Sequence, residues 1–350
     1  MPGFMVSDYF AADTYDEPAD IYARDQTTWA ALPLGAYLDG DLEDPEPTVG
    51  ILPNGTGLLY AESVNGIAGE PSGGKSWTSM LIMAQEIGNG RPVVYVDLED
   101  TPRRIIHRLL TVGATRAQIR DHLMYVRPSE ALDLEGRGAI DQLVQQHQPR
   151  LFVVDSTGEA LALQGTKPNA DEEVAHWFRL LPHHVAAQGP AVLLNDHVTK
   201  ASDGGRWPIG SQRKLAAITG AQYTQNSVEP FSRDTSGHSS LMVSKDRHGF
   251  RAVGSCAGHL DVSVDDTGST FRLLDANDRA SAASNPTGKT ASPRERVLAV
   301  LAASSVAMTV KEIAAATSTA RSSISSALNE LLREGLVKEH PGNPKLWSLP

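Results

Sequence analysis

Eight consecutive residues, Gly69-Glu70-Pro71-Ser72-Gly73-Gly74-Lys75-Ser76, constrain this chain more than any others. They complete the pattern GxxxxGK[ST], between the apolar run Val64–Ala68 and the helical stretch Ser76–Ile87. A strand, a glycine-rich loop and a helix in that order gather backbone N–H groups around one point. The helix N-terminus adds partial positive charge there, so the arrangement favours a polyphosphate. Residues Gly69, Glu70, Pro71, Ser72, Gly73, Gly74, Lys75, Ser76 and Trp77 are therefore expected to bind a nucleoside triphosphate, with ATP and Mg²⁺ as the cofactors. Lys75 is expected to reach the terminal phosphates and the Ser76 hydroxyl to ligate the metal. The similar string Gly288-Lys289-Thr290 lacks the leading glycine, Ala283 standing in its place.

A length of 350 residues suggests about two domains of ordinary size. Cys256 is the only cysteine, which excludes an internal disulfide and a cysteine zinc cluster and fits a reducing, cytoplasmic setting. No basic, apolar leader and no run of membrane-spanning length is seen, so a soluble protein is expected. The net charge of −11 is unevenly spread. Residues 1–50 carry eleven acidic side chains against Arg24 alone. With no periodicity, this stretch reads as a partly disordered arm or a protein-docking arm, and the remainder is almost neutral.

The middle of the chain alternates short apolar strands with amphipathic helices, the pattern of an α/β fold with a parallel sheet. Strands are predicted at Val93–Leu98, Leu123–Val126, Leu151–Asp155 and Ala191–Asn195. Crossover helices are predicted at Thr101–Val112, Gly138–Gln146 and Asp171–Ala187. Beyond residue 215 antiparallel strands are expected, among them Ser239–Ser244, His259–Val264 and Thr270–Leu274. The expected division is an acidic arm (1–45), a nucleotide-binding domain (46–276), a linker (277–292) and a small terminal domain (293–350).

That terminal domain reads as three helices and a hairpin. Helix one spans about Pro293–Ala302, Thr309-Val310-Lys311-Glu312 is a capping box for helix two, and Thr319 caps helix three. Ile324, Leu328, Leu331 and Leu332 form the apolar face of helix three, and Gly335 suits its C-cap. Leu336–Glu339 and Lys345–Leu349 then pair as a wing. The pattern resembles a winged helix-turn-helix, which implies binding to duplex DNA. Arg321, Ser322, Ser325 and Ser326 would face the major groove, with Lys345 or Asn343 on phosphate. The alternative is that these are merely solvated positions.

Hydrolysis needs a metal holder, a group that orients water and charge stabilisers. Asp155 ends an apolar strand, the form of a Walker B carboxylate. Glu99, at the tip of the strand Val93–Leu98, can orient the attacking water. Asp97 and Asp100 compete with it, and all three could instead cap the helix at Thr101. His197, in Asp196-His197-Val198-Thr199-Lys200, could bond the γ-phosphate. Lys245 and Arg247 point the same way on a strand and could supply charge to a neighbouring subunit's γ-phosphate.

The ordered set of P-loop, Glu99, Asp155, Asp196-His197 and Lys245-x-Arg247 resembles the RecA-like ATPase family, over roughly residues 45–275. Within that family it is most similar to the ring-forming, hexameric replicative helicases of plasmids and phages. The resemblance implies a central twisted sheet, ATP bound between subunits and single-stranded DNA in a pore. It also implies pore loops near Gly158–Asp171 and Thr199–Lys214, with Lys167, Lys200, Arg206, Arg213 and Lys214 as phosphate contacts. Two features depart from the family: an acidic arm replaces the N-terminal collar, and Trp207 alone could stack a base. The expected activity is an ATP-driven, DNA-dependent motor, and the alternative is an ATP-gated DNA-binding regulator or loader.

Overall fold

A computed structural model describes residue 31 and residues 34–38, 44–167, 170–198, 213–266, 268–278, 293–304, 307–317, 321–342 and 345–349. Most of the acidic arm, most of the linker, Lys200, Arg206, Trp207, Thr319 and Asn343 lie outside these residues. The chain divides into two units, Met1–Asp44 and Pro45–Pro350. In the first, the described structure is one helical turn, α1 (Gly35–Leu38).

Strands β1 (Val64–Gly69), β2 (Val93–Asp97) and β4 (Leu151–Asp155) are buried at every residue. A strand covered on both faces must be apolar throughout, which is why these segments read as continuous runs. With β3 (Leu123–Val126), β5 (Ala191–His197), β6 (Ala221–Glu229), β7 (Gly237–Asp246), β8 (Cys256–Asp265) and β9 (Gly268–Asp275) they form one nine-stranded sheet, in the order β3-β2-β4-β5-β1-β6-β7-β8-β9. The strands from β3 to β6 in that order are mutually parallel. β7, β8 and β9 continue as an antiparallel meander.

Helices cover the parallel part on both faces. On one face α2 (Lys75–Gly88), α3 (Pro102–Thr111) and α4 (Arg116–His122) pack Met80, Ile82, Ile105, Leu109 and Ile119 against Ile67, Tyr95, Val153 and Leu193. On the other, α5 (Leu134–His147), α6 (Thr157–Leu163), α7 (Asp171–Leu180), α8 (Pro182–Ala186) and α9 (Arg213–Ala217) are the helices present. Here Val144, Leu161, Trp177, Phe178, Val185 and Ile218 meet Val94, Val96, Phe152 and Leu194. Alternate residues of each strand serve opposite cores, as the two-residue repeat of a strand requires. Because parallel strands all end at the same edge, the C-terminal ends of β1, β2, β4 and β5 lie side by side.

Three helical expectations change. The predicted helix Asp171–Ala187 is broken between α7 and α8, because Pro182 has no N–H to donate and its ring crowds the preceding turn. α5 starts four residues earlier than Gly138, capped by the Asp133 carboxylate on the Gly136 N–H at 2.8 Å. α4 was missing from the sequence reading, although Thr115 and Gln118 make a reciprocal capping box at its start.

Residues 293–349 have an apolar core of their own. α10 (Pro293–Ala303), α11 (Val310–Ala316) and α12 (Arg321–Arg333) enclose Val297, Leu301, Ile313, Ile324, Leu328 and Leu331. Thr309 and Glu312 form the expected capping box, and Gly335 takes the left-handed conformation (φ 73°) just beyond α12. Leu332 belongs to the outside of α12, 38% exposed, where the sequence reading put it on the buried face. β10 (Met308–Thr309), β11 (Lys338–His340) and β12 (Leu346–Ser348) make a three-stranded antiparallel wing.

Candidate active site

The P-loop joins the C-terminal end of β1 to the first turn of α2. Gly74 caps that helix with φ 101°, a conformation that disfavours any side chain, and a Cβ there would fall 2.7 Å from Leu260 Cδ2. At Gly69 a Cβ would stand 2.7 Å from the Gln225 carbonyl oxygen, so the loop and β6 approach as closely as backbone allows. β6 and β7 also brace the loop from outside. The Gln225 amide and the Ser239 hydroxyl both donate to the Gly73 carbonyl, at 3.2 and 2.8 Å. Neither residue carried a sequence signal, because their role comes from strand neighbours far along the chain.

Lys75 is buried at the loop's centre, its ammonium donating to the carbonyls of Gly69 (2.8 Å) and Glu70 (3.0 Å). Burial pulls its pKa down, while Asp155, Glu99 and Asp196 oppose that shift. Asp155 is almost wholly buried at the end of β4 and accepts a hydrogen bond from the Tyr95 hydroxyl at 2.8 Å. Burial raises its pKa, and hydrogen bonds from Tyr95 and Ser76 favour the charged form. A hydroxyl and a carboxylate brought together at the P-loop are the hard oxygen donors that Mg²⁺ prefers. Among the described residues no group of three or more His, Cys, Asp or Glu side chains could hold a metal unaided.

The acidic residues Asp97, at the end of β2, and Glu99 and Asp100, just beyond it, have different partners. Asp97 is fully buried, and one oxygen accepts the N–H groups of Glu99 (3.0 Å) and Asp100 (2.7 Å). Its other oxygen takes the Tyr125 hydroxyl at 2.5 Å. Asp100 pairs with Arg104 and Arg108 on α3. Glu99 is left reaching into the cleft, where it accepts from the Ser156 hydroxyl and lies 3.4 Å from His197 Nε2. The other ring nitrogen of His197 is 3.5 Å from Lys75 Nζ. Lys75, Glu99, Asp155, Ser76 and His197 thus converge on one edge of the sheet.

These groups line a cleft of about 1110 Å³, with Pro71, Ser72, Gly74 and Trp77 on one side. Trp77 stacks on Phe271 (ring centroids 3.8 Å apart) and carries the Arg108 guanidinium at 5.7 Å. Arg103, Arg104 and Arg108 on α3 and Phe231 and Phe271 from the antiparallel strands complete the wall. None of these was singled out from sequence, though three arginines in the first two turns of a helix after Glu99 were visible there.

Two expected ligand contacts are committed elsewhere. Lys214, expected to meet DNA phosphate, is 4% exposed and donates to Asp196 at 2.8 Å. A buried ammonium paired this way does not present its charge at the surface. Lys245, expected to serve a neighbour's phosphate, donates to the carbonyls of Leu215 (2.8 Å), Ala216 (3.1 Å) and Ile218 (2.6 Å). Arg247 is exposed, and its backbone N–H donates to Gly220 O at 3.1 Å. Strand register puts Gln222 beside both Gly66 and Lys245, near the start of β1. The P-loop begins three residues further along that strand, about 10 Å away on its axis, so Lys245 and Arg247 lie towards the opposite end from their own P-loop.

Of the remaining expected DNA contacts, Arg213, Lys167 and Arg321 are exposed and Ser325 is half-buried. Ser322 lies on α12, its side chain outside the described residues. Lys345 pairs with Glu339 across the wing at 2.7 Å. Among the described residues no helix is long and apolar enough to cross a membrane.

A family model described as an AAA domain matches residues 33–203, and one described as an IclR helix-turn-helix domain matches residues 296–341. The first match includes Lys75, Glu99, Asp155 and His197 and stops short of Lys245. No curated protein matches the chain. Among solved structures, a KaiC-like protein from the hyperthermophilic archaeon Pyrococcus horikoshii OT3 is similar at 12% identity and a TM-score of 0.48, over 66% of this chain and all of that one. Residues 33–203, which hold the P-loop, are thus similar to an AAA domain, and residues 296–341 to an IclR helix-turn-helix domain.

Proposed function

We propose that this protein hydrolyses ATP to drive movement on DNA, as an assembly of several copies, in the manner of ring-forming helicases. The observation that carries the reading is the meeting of Glu99, His197 and Lys75 beside Asp155 and Ser76. In this reading the P-loop amides and Lys75 hold the triphosphate, and Ser76 and Asp155 hold Mg²⁺. The metal, when bound, offsets negative charge on the phosphate oxygens. Glu99 orients water for in-line attack and takes its proton, and the Ser156 hydroxyl and His197 hold the carboxylate towards that water. His197, adjacent to Lys75, bonds a γ-phosphate oxygen.

Assembly enters because Arg247 is exposed and remote from its own P-loop. It serves a second copy's nucleotide, supplying the positive charge that the transition state requires. The winged helix contacts duplex DNA through Arg321, Ser322 and Ser325, and Arg213 with the segment around Lys200 and Arg206 contacts the single strand.

A second reading, an ATP-gated DNA-binding regulator or loader, is favoured by the burial of Lys214, which removes one cation from the expected strand contacts. ATP turnover with and without single-stranded DNA separates the two, with Lys75→Ala as blank. Stimulation of about tenfold or more supports the motor. A DNA-independent rate above the blank supports the regulator, and turnover no faster than the blank would reject both.

A further inference from the structure

Lys214 and Lys245, both expected to face a ligand, instead anchor one short stretch of chain: Lys214, its first residue, ties it to Asp196, and Lys245 bonds three of its carbonyls. Residues 214–220 run from one edge of the sheet to the other. At the nucleotide edge, Lys214 donates to Asp196 Oδ2 at 2.8 Å, and both side chains are nearly inaccessible. Asp196 Oδ1 accepts the backbone N–H of His197 at 2.8 Å. The register pairs Asp196 with Ala68, one residue before the P-loop begins. The Lys214–Asp196 pair is thus one residue from the histidine that touches Lys75 and Glu99.

At the opposite edge, Thr219 and Gly220 donate their N–H groups to the Val64 carbonyl, at 3.1 and 3.0 Å. The Gly220 carbonyl accepts the N–H of Arg247. A Cβ on Gly220 would stand 2.3 Å from Asn65 Oδ1, so the Asn65 side chain packs directly against this backbone and leaves no room for a side chain. Between the edges, the Lys245 ammonium ties together three carbonyls, those of Leu215, Ala216 and Ile218. These include acceptors that a five-residue helix leaves without intrahelical partners. A cation at a helix C-terminus is favoured by the local dipole as well as by the three bonds.

We propose that Lys214 and Lys245 are positioning residues that make residues 214–220 a rigid spacer between His197 and Arg247. The spacer rests on the reading of Arg247 as the residue that serves a neighbour's nucleotide. It links the phosphate side of one copy's site to the arginine offered to the next copy. A change at His197 is then felt at Arg247 through bonded, close-packed groups rather than through solvent. Coupling through the spacer requires that the spacer itself respond, so exchange within it is measured beside turnover.

Amide hydrogen exchange on the full-length protein without nucleotide, followed by mass spectrometry, reads the spacer directly. Lys245→Met is expected to speed exchange at Ile218–Gly220 and Arg247 by about tenfold or more, with P-loop amides unchanged. The same variant should lower kcat by about tenfold while nucleotide affinity stays within about twofold, and Lys245→Arg, which can still donate, should restore most of both. Unchanged exchange together with lost turnover would mean that Lys245 acts directly on a ligand, and would overturn the proposal. Faster exchange with full turnover would overturn it too. A wild-type protein that does not hydrolyse ATP would sink the functional reading alone, since the exchange comparison still decides whether Lys245 holds the spacer.

Discussion

Glu99 and His197 stand 98 residues apart in the chain and 3.4 Å apart in the structure, carboxylate oxygen to ring nitrogen. They meet because β2 and β5 run parallel and end at the same edge, on either side of β4. The contact gives Glu99 a fixed partner while leaving its side chain 38% exposed to the cleft.

That geometry makes Glu99→Gln a selective loss. The amide keeps the shape and can still bond Ser156 and His197, but it cannot take a proton from water. We expect kcat to fall by about 10²–10⁴-fold with nucleotide affinity within about threefold. Single-turnover hydrolysis and titration with a fluorescent nucleotide measure the two separately. A variant that loses binding and turnover in parallel would assign Glu99 to nucleotide binding.

Asp155 carries an opposite lesson for stability. Its folded pKa is raised, chiefly by burial, so the folded chain binds a proton more readily than the unfolded one. Stability from this group is therefore highest below the ordinary carboxylate value near 3.8 and declines as pH rises towards the folded pKa. Asp155→Asn removes that cost while keeping an acceptor for Tyr95. We expect it to abolish hydrolysis yet to stabilise the fold by about 0.5–2 kcal/mol at pH 7, with a smaller gain at pH 5. Urea denaturation at the two pH values tests this, and a destabilised variant would show that the carboxylate's hydrogen bonds outweigh its desolvation.

The buried Lys214–Asp196 pair predicts strong non-additivity. Lys214→Met leaves the Asp196 carboxylate buried with its N–H bond from His197 but without its cation, at a cost of about 3–5 kcal/mol. Adding Asp196→Asn should recover most of that loss, because no charge then remains buried. A double-mutant cycle by denaturant melts yields the coupling, and additive losses would mean that the two groups are stabilised independently.

In the winged helix the two candidate cations should differ. Arg321 is exposed at the start of α12, whereas Lys345 is already paired with Glu339. Arg321→Ala should weaken duplex binding by about 1–3 kcal/mol, and Lys345→Ala by less than about 0.5 kcal/mol. Anisotropy titrations of a duplex at two salt concentrations compare them. Equal losses would indicate that the Lys345–Glu339 pair opens on DNA.

Local chemistry was legible along the chain wherever the physical cause is itself local. The P-loop pattern, the apolar runs of β1, β2 and β4 and the Thr309–Glu312 capping box each depend on residues within a few positions of one another. The break at Pro182 and the capping box of α4 are equally local: each rests on a proline or a Thr115–Gln118 pair within one helical turn. The competition among Asp97, Glu99 and Asp100 could not be resolved in one dimension. Tyr125 reaches Asp97 from the neighbouring strand, while Arg104 and Arg108, on the helix that follows, hold Asp100.

By itself the sequence determined the buried strands β1, β2 and β4, the strand–loop–helix order around the P-loop pattern and the capping box that opens α11, because each depends on near neighbours in the chain. Only the tertiary structure decided how the cations are used. Lys214, Lys245 and Arg247 are alike in charge, yet the first two are drawn onto a carboxylate 18 residues away and carbonyls 27–30 residues away. Once desolvated, an ammonium must find acceptors or lose its charge, so packing assigns its partners, while Arg247 remains outward at the sheet's far edge.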